Sequence, residues 1–358
     1  MKIKKPKKLQ KLPKPNLKRL RRKKGAVEEQ GALPRITNET VAAHREEVLS
    51  SARKYIYPLQ HSKHRVVKIS VSLLVLAVIG FFVYLGLALY KFQSTNTFVY
   101  GVTQVLPLPV AKAGSNFVSY DSYLFQLRRY MHYYRTQQQV DFSTKKGKDQ
   151  LVEYKKRSMD KVLRTAYAKQ LAKENGVTVS RREVDQQIDL VRSQNRLGSN
   201  DQVFKDVLSE YWGWTVQDFK QELTDELLEQ KVVAKLDTAA QNKAGAAYEK
   251  LQQGADFAEV AKQYSEDAAT APNGGTYPVT IERTNRDVPP QLIAALFAMK
   301  PGEYSKVINT GYRLEIVKVI SNENGRVQAA HIAINLQDIT HFTDKVKAEH
   351  KPMRFIRF

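Results

Sequence analysis

The sequence predicts a single transmembrane helix followed by an all-α domain and a smaller α+β domain. Three observations carry that reading. Residues 69–90 contain no charged side chain and are bracketed by Lys68 and Lys91. Between residues 120 and 236 apolar side chains recur three and four apart, the period of a helix buried on one face. Residues 312–334 are two β-rich runs separated by Asn322-Glu-Asn-Gly325, a hairpin signature.

At about 1.5 Å per residue the apolar stretch makes a helix of roughly 33 Å, against a hydrocarbon layer of about 30 Å. A signal peptide fits less well, because its apolar region is shorter, lies near the N-terminus and ends in a small-residue cleavage site; here 68 residues come first. A buried core helix seldom needs so long an uncharged run. Lys and Arg near a span are retained on the cytoplasmic side. Residues 1–68 hold 20 Lys and Arg against five Glu, whereas only Lys91 and Lys112 precede the first acid beyond the span, Asp121. The prediction is therefore a single-pass protein of the cytoplasmic membrane, spanning at 66–92, with the N-terminus inside and the C-terminal domains extracytoplasmic.

The net charge of +22 on 358 residues is mostly a property of the N-terminal tail. Enough chain follows the span for two ordinary domains. There is no cysteine, so disulfides, thiolate zinc sites and cysteine nucleophiles are excluded. The seven histidines are scattered, no paired-carboxylate motif is evident, and Gly274-Gly275 lacks phosphate-loop spacing. No metal and no cofactor is expected.

In chain order, residues 1–36 combine dense Lys/Arg with proline and few bulky apolar side chains, which predicts a disordered cytoplasmic tail. It reads as a topology signal and flexible arm, or as a contact for anionic lipid or RNA. Residues 37–65 hold a predicted amphipathic helix over 38–57, with Asn38 as cap, Glu39 early and Arg53 and Lys54 late, and then a linker. Residues 99–113 are β-branched and proline-broken, and are expected to be extended. Helices are predicted over 120–138, 150–174, 181–195, 202–211 and 216–236. Asn175-Gly176 stops the second, while Ser180 with Glu183 and Thr215 with Asp218 are capping-box pairs. Trp212 and Trp214 are expected as core plugs.

Two resemblances follow from these segments. VLRTAYAKQLAKENGVTVSRREVDQQIDLVRSQN, then a short helix and WTVQDFKQELTDELLEQKVV, resembles the helical N-terminal domain of the SurA/PrsA-type extracytoplasmic foldases, and is assigned to 93–236. YEKLQQGADFAEVAKQYSEDAATAPNGGTY, then VPPQLIAALFAMKPGEYSKVINTGYRLEIVKV, is similar to the parvulin-type peptidyl-prolyl isomerase domain, assigned to 237–340. Residues 341–358 remain as a C-terminal tail that packs on the helical domain or frays.

The resemblance implies the site. Asp267 falls where parvulins carry Cys or Asp at its floor, Leu292 and Phe297 fall in the apolar wall, Val288 replaces a common Met, and Tyr277 joins them as a substrate contact. The family's G-G-D-L-G is Gly274-Gly275-Thr276-Tyr277-Pro278 here, and its His before I-I-K-V is Glu315. The family's first strand, A-[SR]-H-I-L, is missing from its place, yet residues 326–334, with His331, have that look. A circularly permuted parvulin follows, in which a three-residue turn with Gly325 as bulge sets Glu315 opposite His331. A second parvulin repeat opening at His331 is the other reading. Asp267, Glu315 and His331 are thus the candidate catalytic groups.

The resemblance implies a membrane-anchored chaperone for secreted or unfolded polypeptides with X-Pro isomerase activity, which the departures at Glu315, Pro278 and the displaced strand make weak or absent. Tyr120, Tyr123, Phe125, Tyr130, Tyr133 and Tyr134 are candidate linings of its groove, although aromatic rows at helical spacing also build cores. The alternative is a non-catalytic structural or adhesive surface protein whose basic tail grips lipid or RNA inside.

Overall fold

The computed structural model describes residues 37–56, 59–193 and 200–358; the tail expected over 1–36 lies outside them. Helix α1 (Asn38–Ile56) precedes α2 (Leu59–Gly86), which widens into a π turn (Leu87–Lys91). The helical stretch His64–Lys91 has mean hydropathy 2.6 and is long and apolar enough to cross a membrane. The chain divides into two compact units within α2, between Val78 and Ile79.

From Ile79 onward the chain builds a helical domain first. Residues 99–113 do not run extended throughout. Thr97–Val105 form a helix, α3, because the Asn96 side chain accepts the Val99 N–H at 2.7 Å and burial of Val99 and Thr103 outweighs their β-branched preference. Strands β1 (Pro109–Ala113) and β2 (Asn116–Ser119) follow, then α4 (Tyr120–Thr136) and α5 (Lys145–Glu174). Helix α5 starts five residues before its predicted onset, at a Thr144 cap that accepts the Gly147 N–H. Helices α6 (Arg181–Ser193), α7 (Asp201–Trp212) and α8 (Val216–Leu236) complete the row. Both expected capping boxes form: Ser180 with Glu183, and Thr215 with Asp218. Trp214 is buried with Phe125, Phe204 and Leu208, and Trp212 packs on that cluster. Tyr120, Tyr123 and Phe125 are buried in the core, while Tyr130, Tyr133 and Tyr134 are half-buried.

The smaller α+β part begins with α9 (Thr238–Gln252) and α10 (Phe257–Tyr264), followed by a 3₁₀ turn (Ala271–Asn273) and α11 (Pro290–Ala298). A sheet follows: β3 (Ile308–Asn309), β4 (Arg313–Glu323) and β5 (Arg326–Asn335), antiparallel in that order. On the far side of β5, residues 276–281 bridge to it at Thr276↔Ala330 and Ile281↔Val327. One face of β4 and β5 packs Leu314, Ile316, Ala330 and Ile332 against α9 and α10; the other packs Val317, Val319, Val327 and Ala329 against α11.

The hairpin turn is a two-residue Asn324-Gly325 loop, both residues at positive φ, rather than three residues with a glycine bulge. The irregularity sits instead between Val319 and Ser321. His331 therefore stands opposite Val317, and Glu315 opposite Ala333. The predicted register is off by two residues, and a slip of two leaves each side chain on the same face.

The C-terminal segment returns to the helical domain. Helix α12 (Ile339–Glu349) packs on α5 and α8, and β6 (Met353–Arg354) adds a third strand, giving the order β2-β1-β6. Ile356 is buried in the core that takes Tyr120, Leu124 and Tyr167, and Phe358 stacks on Tyr123. Ile356→Ala leaves a cavity there, so it should cost about 2–5 kcal/mol and lower the melting temperature of the helical domain. A melting curve unchanged from wild type would show that β6 only rests on the surface.

Candidate functional site

The site is built where two loops meet β5. After α10, residues 265–267 are tied down by the Glu266 N–H donating to the Ala333 carbonyl at 2.7 Å, the Ala333 N–H donating to Ser265 Oγ at 3.1 Å, and the Asn335 N–H donating to Glu266 Oε2 at 2.7 Å. These bonds place Asp267 beside His331. After the 3₁₀ turn, the His331 N–H donates to the Gly275 carbonyl at 2.8 Å and the Tyr277 N–H to the Ala329 carbonyl at 2.9 Å, which draws residues 275–277 along β5.

The structure brings the three candidate catalytic groups together. His331 Nδ1 lies 2.9 Å from Glu315 Oε2, and Nε2 lies 2.9 Å from Asp267 Oδ2. Each contact needs one proton, supplied by an imidazolium ring at both nitrogens or by a carboxyl group at one. Thr270, which the sequence pattern did not single out, completes the cluster: its Oγ1 donates to Asp267 Oδ2 at 2.7 Å and lies 2.8 Å from His331 Nε2. The Asp-x-x-Thr spacing of a side-chain-capped turn is the signal for it. Thr310 Oγ1 reaches Glu315 Oε1 at 3.3 Å. Among the described residues no group of His, Asp or Glu is arranged to hold a metal ion.

His331 is only 3% exposed, because the Tyr277 ring stacks on it with centroids 4.4 Å apart. Burial, reinforced by the Glu315 and Asp267 carboxylates, pushes the Tyr277 phenol well above its ordinary range, so it stays neutral. Val288 and Leu292 lie in the core beneath, packed with Ile281 and Leu296, and Leu292 has no accessible surface. Phe297 is half-buried, with the Arg283 guanidinium 4.4 Å above its ring. Tyr277 and Phe297 thus present surface in this conformation, and Val288 and Leu292 do not.

Burial pushes the Asp267 carboxyl up, but hydrogen bonds from Thr270, His331 and the Ala269 N–H outweigh it and hold the group below the ordinary 3.8. A folded value below the unfolded one means that the stabilisation is complete above the unfolded value and is lost as pH falls through the folded one. Acid titration of unfolding should therefore show wild type losing its advantage over Asp267→Asn below about pH 4. A gap between the two that stays constant down to pH 2 contradicts this assignment.

Comparison with known families gives two matches. The SurA-like N-terminal domain family covers residues 59–233, and the PPIC-type PPIase domain family covers residues 226–321. The chain carries a domain of each family, in that order. Foldase protein PrsA of Caldanaerobacter subterraneus is 29% identical over 188 residues, 48% of this chain and 58% of that protein. Chaperone SurA of Methylobacillus flagellatus is 32% identical over 113 residues, 30% of this chain and 25% of that protein. The parvulin-like PPIase of Rickettsia typhi is 32% identical over 95 residues, 26% of this chain and 34% of that protein. The chain thus spans between a quarter and about three-fifths of these relatives. The PPIase match ends at Ser321, so β5 and His331 lie beyond it.

Proposed function

We propose that this SurA/PrsA-type protein is a membrane-anchored, extracytoplasmic chaperone that holds unfolded or secreted polypeptides and isomerises their X-Pro bonds weakly. Residues 66–92 are the anchor, with the N-terminus inside; residues 93–236 with the C-terminal segment are the holding domain; residues 237–340 are a circularly permuted parvulin. The sheet order supports the permutation. Strand β5, which carries the displaced first-strand signature, sits between residues 276–281 and β4, antiparallel to its neighbour β4, as the family's first strand is to its last. The basic tail serves topology, with an inner-leaflet contact to anionic lipid as its further role.

One observation ranks holding above turnover: His331, Glu315 and Asp267 satisfy one another beneath Tyr277 instead of pointing at a client. Prolyl isomerisation needs a twisted amide to be held against polar groups, across a barrier of about 18–20 kcal/mol, and polar groups already paired and covered have little to offer until Tyr277 moves. The test uses the full chain in detergent micelles. Isomerisation of an X-Pro peptide and suppression of client aggregation are measured for wild type and for the Asp267→Asn, Glu315→Gln variant. Strong aggregation suppression in both, with turnover near background, supports the holding role. Robust turnover that the variant loses makes the cluster an enzyme site, and failure to suppress aggregation removes the chaperone reading.

A further inference from the structure

The apolar helix enters the helical domain before it ends. Over residues 66–84 its large apolar side chains are about half exposed or more, Phe81 aside, whereas Leu85, Ala88 and Leu89 are buried in the core that also holds Val99, Val110, Tyr120 and Tyr123. Nineteen residues at 1.5 Å make about 28 Å, close to one hydrocarbon thickness. If residues 66–84 fill that thickness, the domain surface around Leu85 and Leu87 lies where the hydrocarbon gives way to headgroups.

The side chains displayed there are apolar. Leu87 is 45% exposed, Phe92 68%, Phe98 59% and Val105 79%. Helix α3 carries no charge, and no charged residue occurs between Lys91 and Lys112. Its Val99 is buried in the same core as Leu85 and Leu89, and Thr103 is buried as well. Phe98 and Val105, seven apart, share a second face, while Val102 between them packs in part on the core. That face has large exposed side chains at both ends and no charge to hold it in water. Exposed apolar surface of this kind calls for a partner, and α3 begins only a few residues after the membrane-length helix ends at Lys91.

We propose that α3 is an interfacial helix, with Phe92, Phe98 and Val105 set into the outer headgroup–acyl boundary of the membrane that residues 66–84 cross. The inference rests on the reading of that helix as a span. Amphipathic helices bind interfaces by burying such a face, and aromatic side chains favour that depth. The chain then has two membrane contacts, which fixes the tilt of the helical domain and holds it flush with the surface where unfolded chains emerge.

The absence of native cysteine makes the test direct. Full-length Leu76→Cys, Phe98→Cys, Val105→Cys and Val279→Cys are labelled with an environment-sensitive nitrobenzoxadiazole dye and reconstituted in phosphatidylethanolamine–phosphatidylglycerol vesicles. The expected result is loss of most emission at 98 and 105 to a doxyl quencher on the upper acyl chain, with little loss to aqueous iodide. The label at 76 responds only to a deep acyl quencher, and that at 279, on the α+β part, only to iodide. Iodide quenching at 98 and 105 with 76 still in lipid overturns the inference and leaves the span intact. Shielding from both quenchers at 98, with dye-to-dye self-quenching, means that a second copy covers α3 and also overturns it. Lipid quenching at 279 equal to that at 98 reduces the contact to general adsorption and overturns it as well. A label at 76 outside the lipid removes the span and the inference together.

Discussion

Replacing His331 with alanine should destabilise the α+β part by about 3–5 kcal/mol, the cost of leaving a buried charge without its partner. Glu315 bears that cost. Its side chain is 4% exposed, and with the imidazole gone its nearest remaining polar contact is Thr310 at 3.3 Å. Asp267 is better provided for, since Thr270 and the Ala269 N–H still reach it. The loop bonds from Ser265 and Glu266 to β5 involve no His331 side-chain atom, so the frame of the site survives and the loss is confined to the cluster. Adding Glu315→Leu should make the double variant more stable than His331→Leu alone, since two apolar side chains of similar volume replace an ion pair at little net cost. Thermal unfolding in micelles reads all three variants. Equal stability of His331→Leu and the double variant would show that Glu315 is not left as a costly unpaired charge.

Much of this architecture is legible from local sequence because local physics decides it. The helix ends at Tyr120, Glu174, Arg181, Val216 and Leu236 fall where the caps and apolar periods put them. The convergence of Asp267, Glu315 and His331 was readable because resemblance supplied the roles and the hairpin supplied the face. The register was not, because it depends on which of two turn types Asn322–Gly325 adopts, and a compensating irregularity near Ile320 leaves no mark in composition. Helix α3 was hidden by its valines and threonines, whose preference is extended until tertiary burial outweighs it. The return of Ile356 and Phe358 to a core more than 180 residues upstream of them has no local signal at all. Nor does the stacking of Tyr277 on His331, which depends on how residues 275–277 are drawn along β5.

That last arrangement hangs on Gly275, and Gly275→Ala should be the most damaging single-atom addition in the α+β part. The residue has φ +78°, and a Cβ there would stand 2.1 Å from the His331 carbonyl oxygen, with Ala261 Cβ 3.2 Å away on the other side. Neither neighbour is a flexible side-chain end. The strand segment must lift from β5, breaking the 2.8 Å bond from the His331 N–H to the Gly275 carbonyl and unseating Tyr277. Backbone strain and overpacking together put the cost at about 3 kcal/mol or more. Gly325→Ala is the matched control: its φ is +79°, but a Cβ there meets nothing within 4 Å, so only the strain of about 1 kcal/mol remains. Amide hydrogen exchange separates the two, with His331 and Tyr277 losing protection in Gly275→Ala and keeping it in Gly325→Ala. The unseating also bears on function, because uncovering His331 should admit water and client to a cluster that Tyr277 otherwise closes. Turnover on an X-Pro peptide that rises in Gly275→Ala, despite its lower stability, would identify the Tyr277 cover as what holds the wild-type site in check. Equal loss of protection in both glycine variants would instead trace the damage to backbone strain and remove the close approach to β5 as its cause.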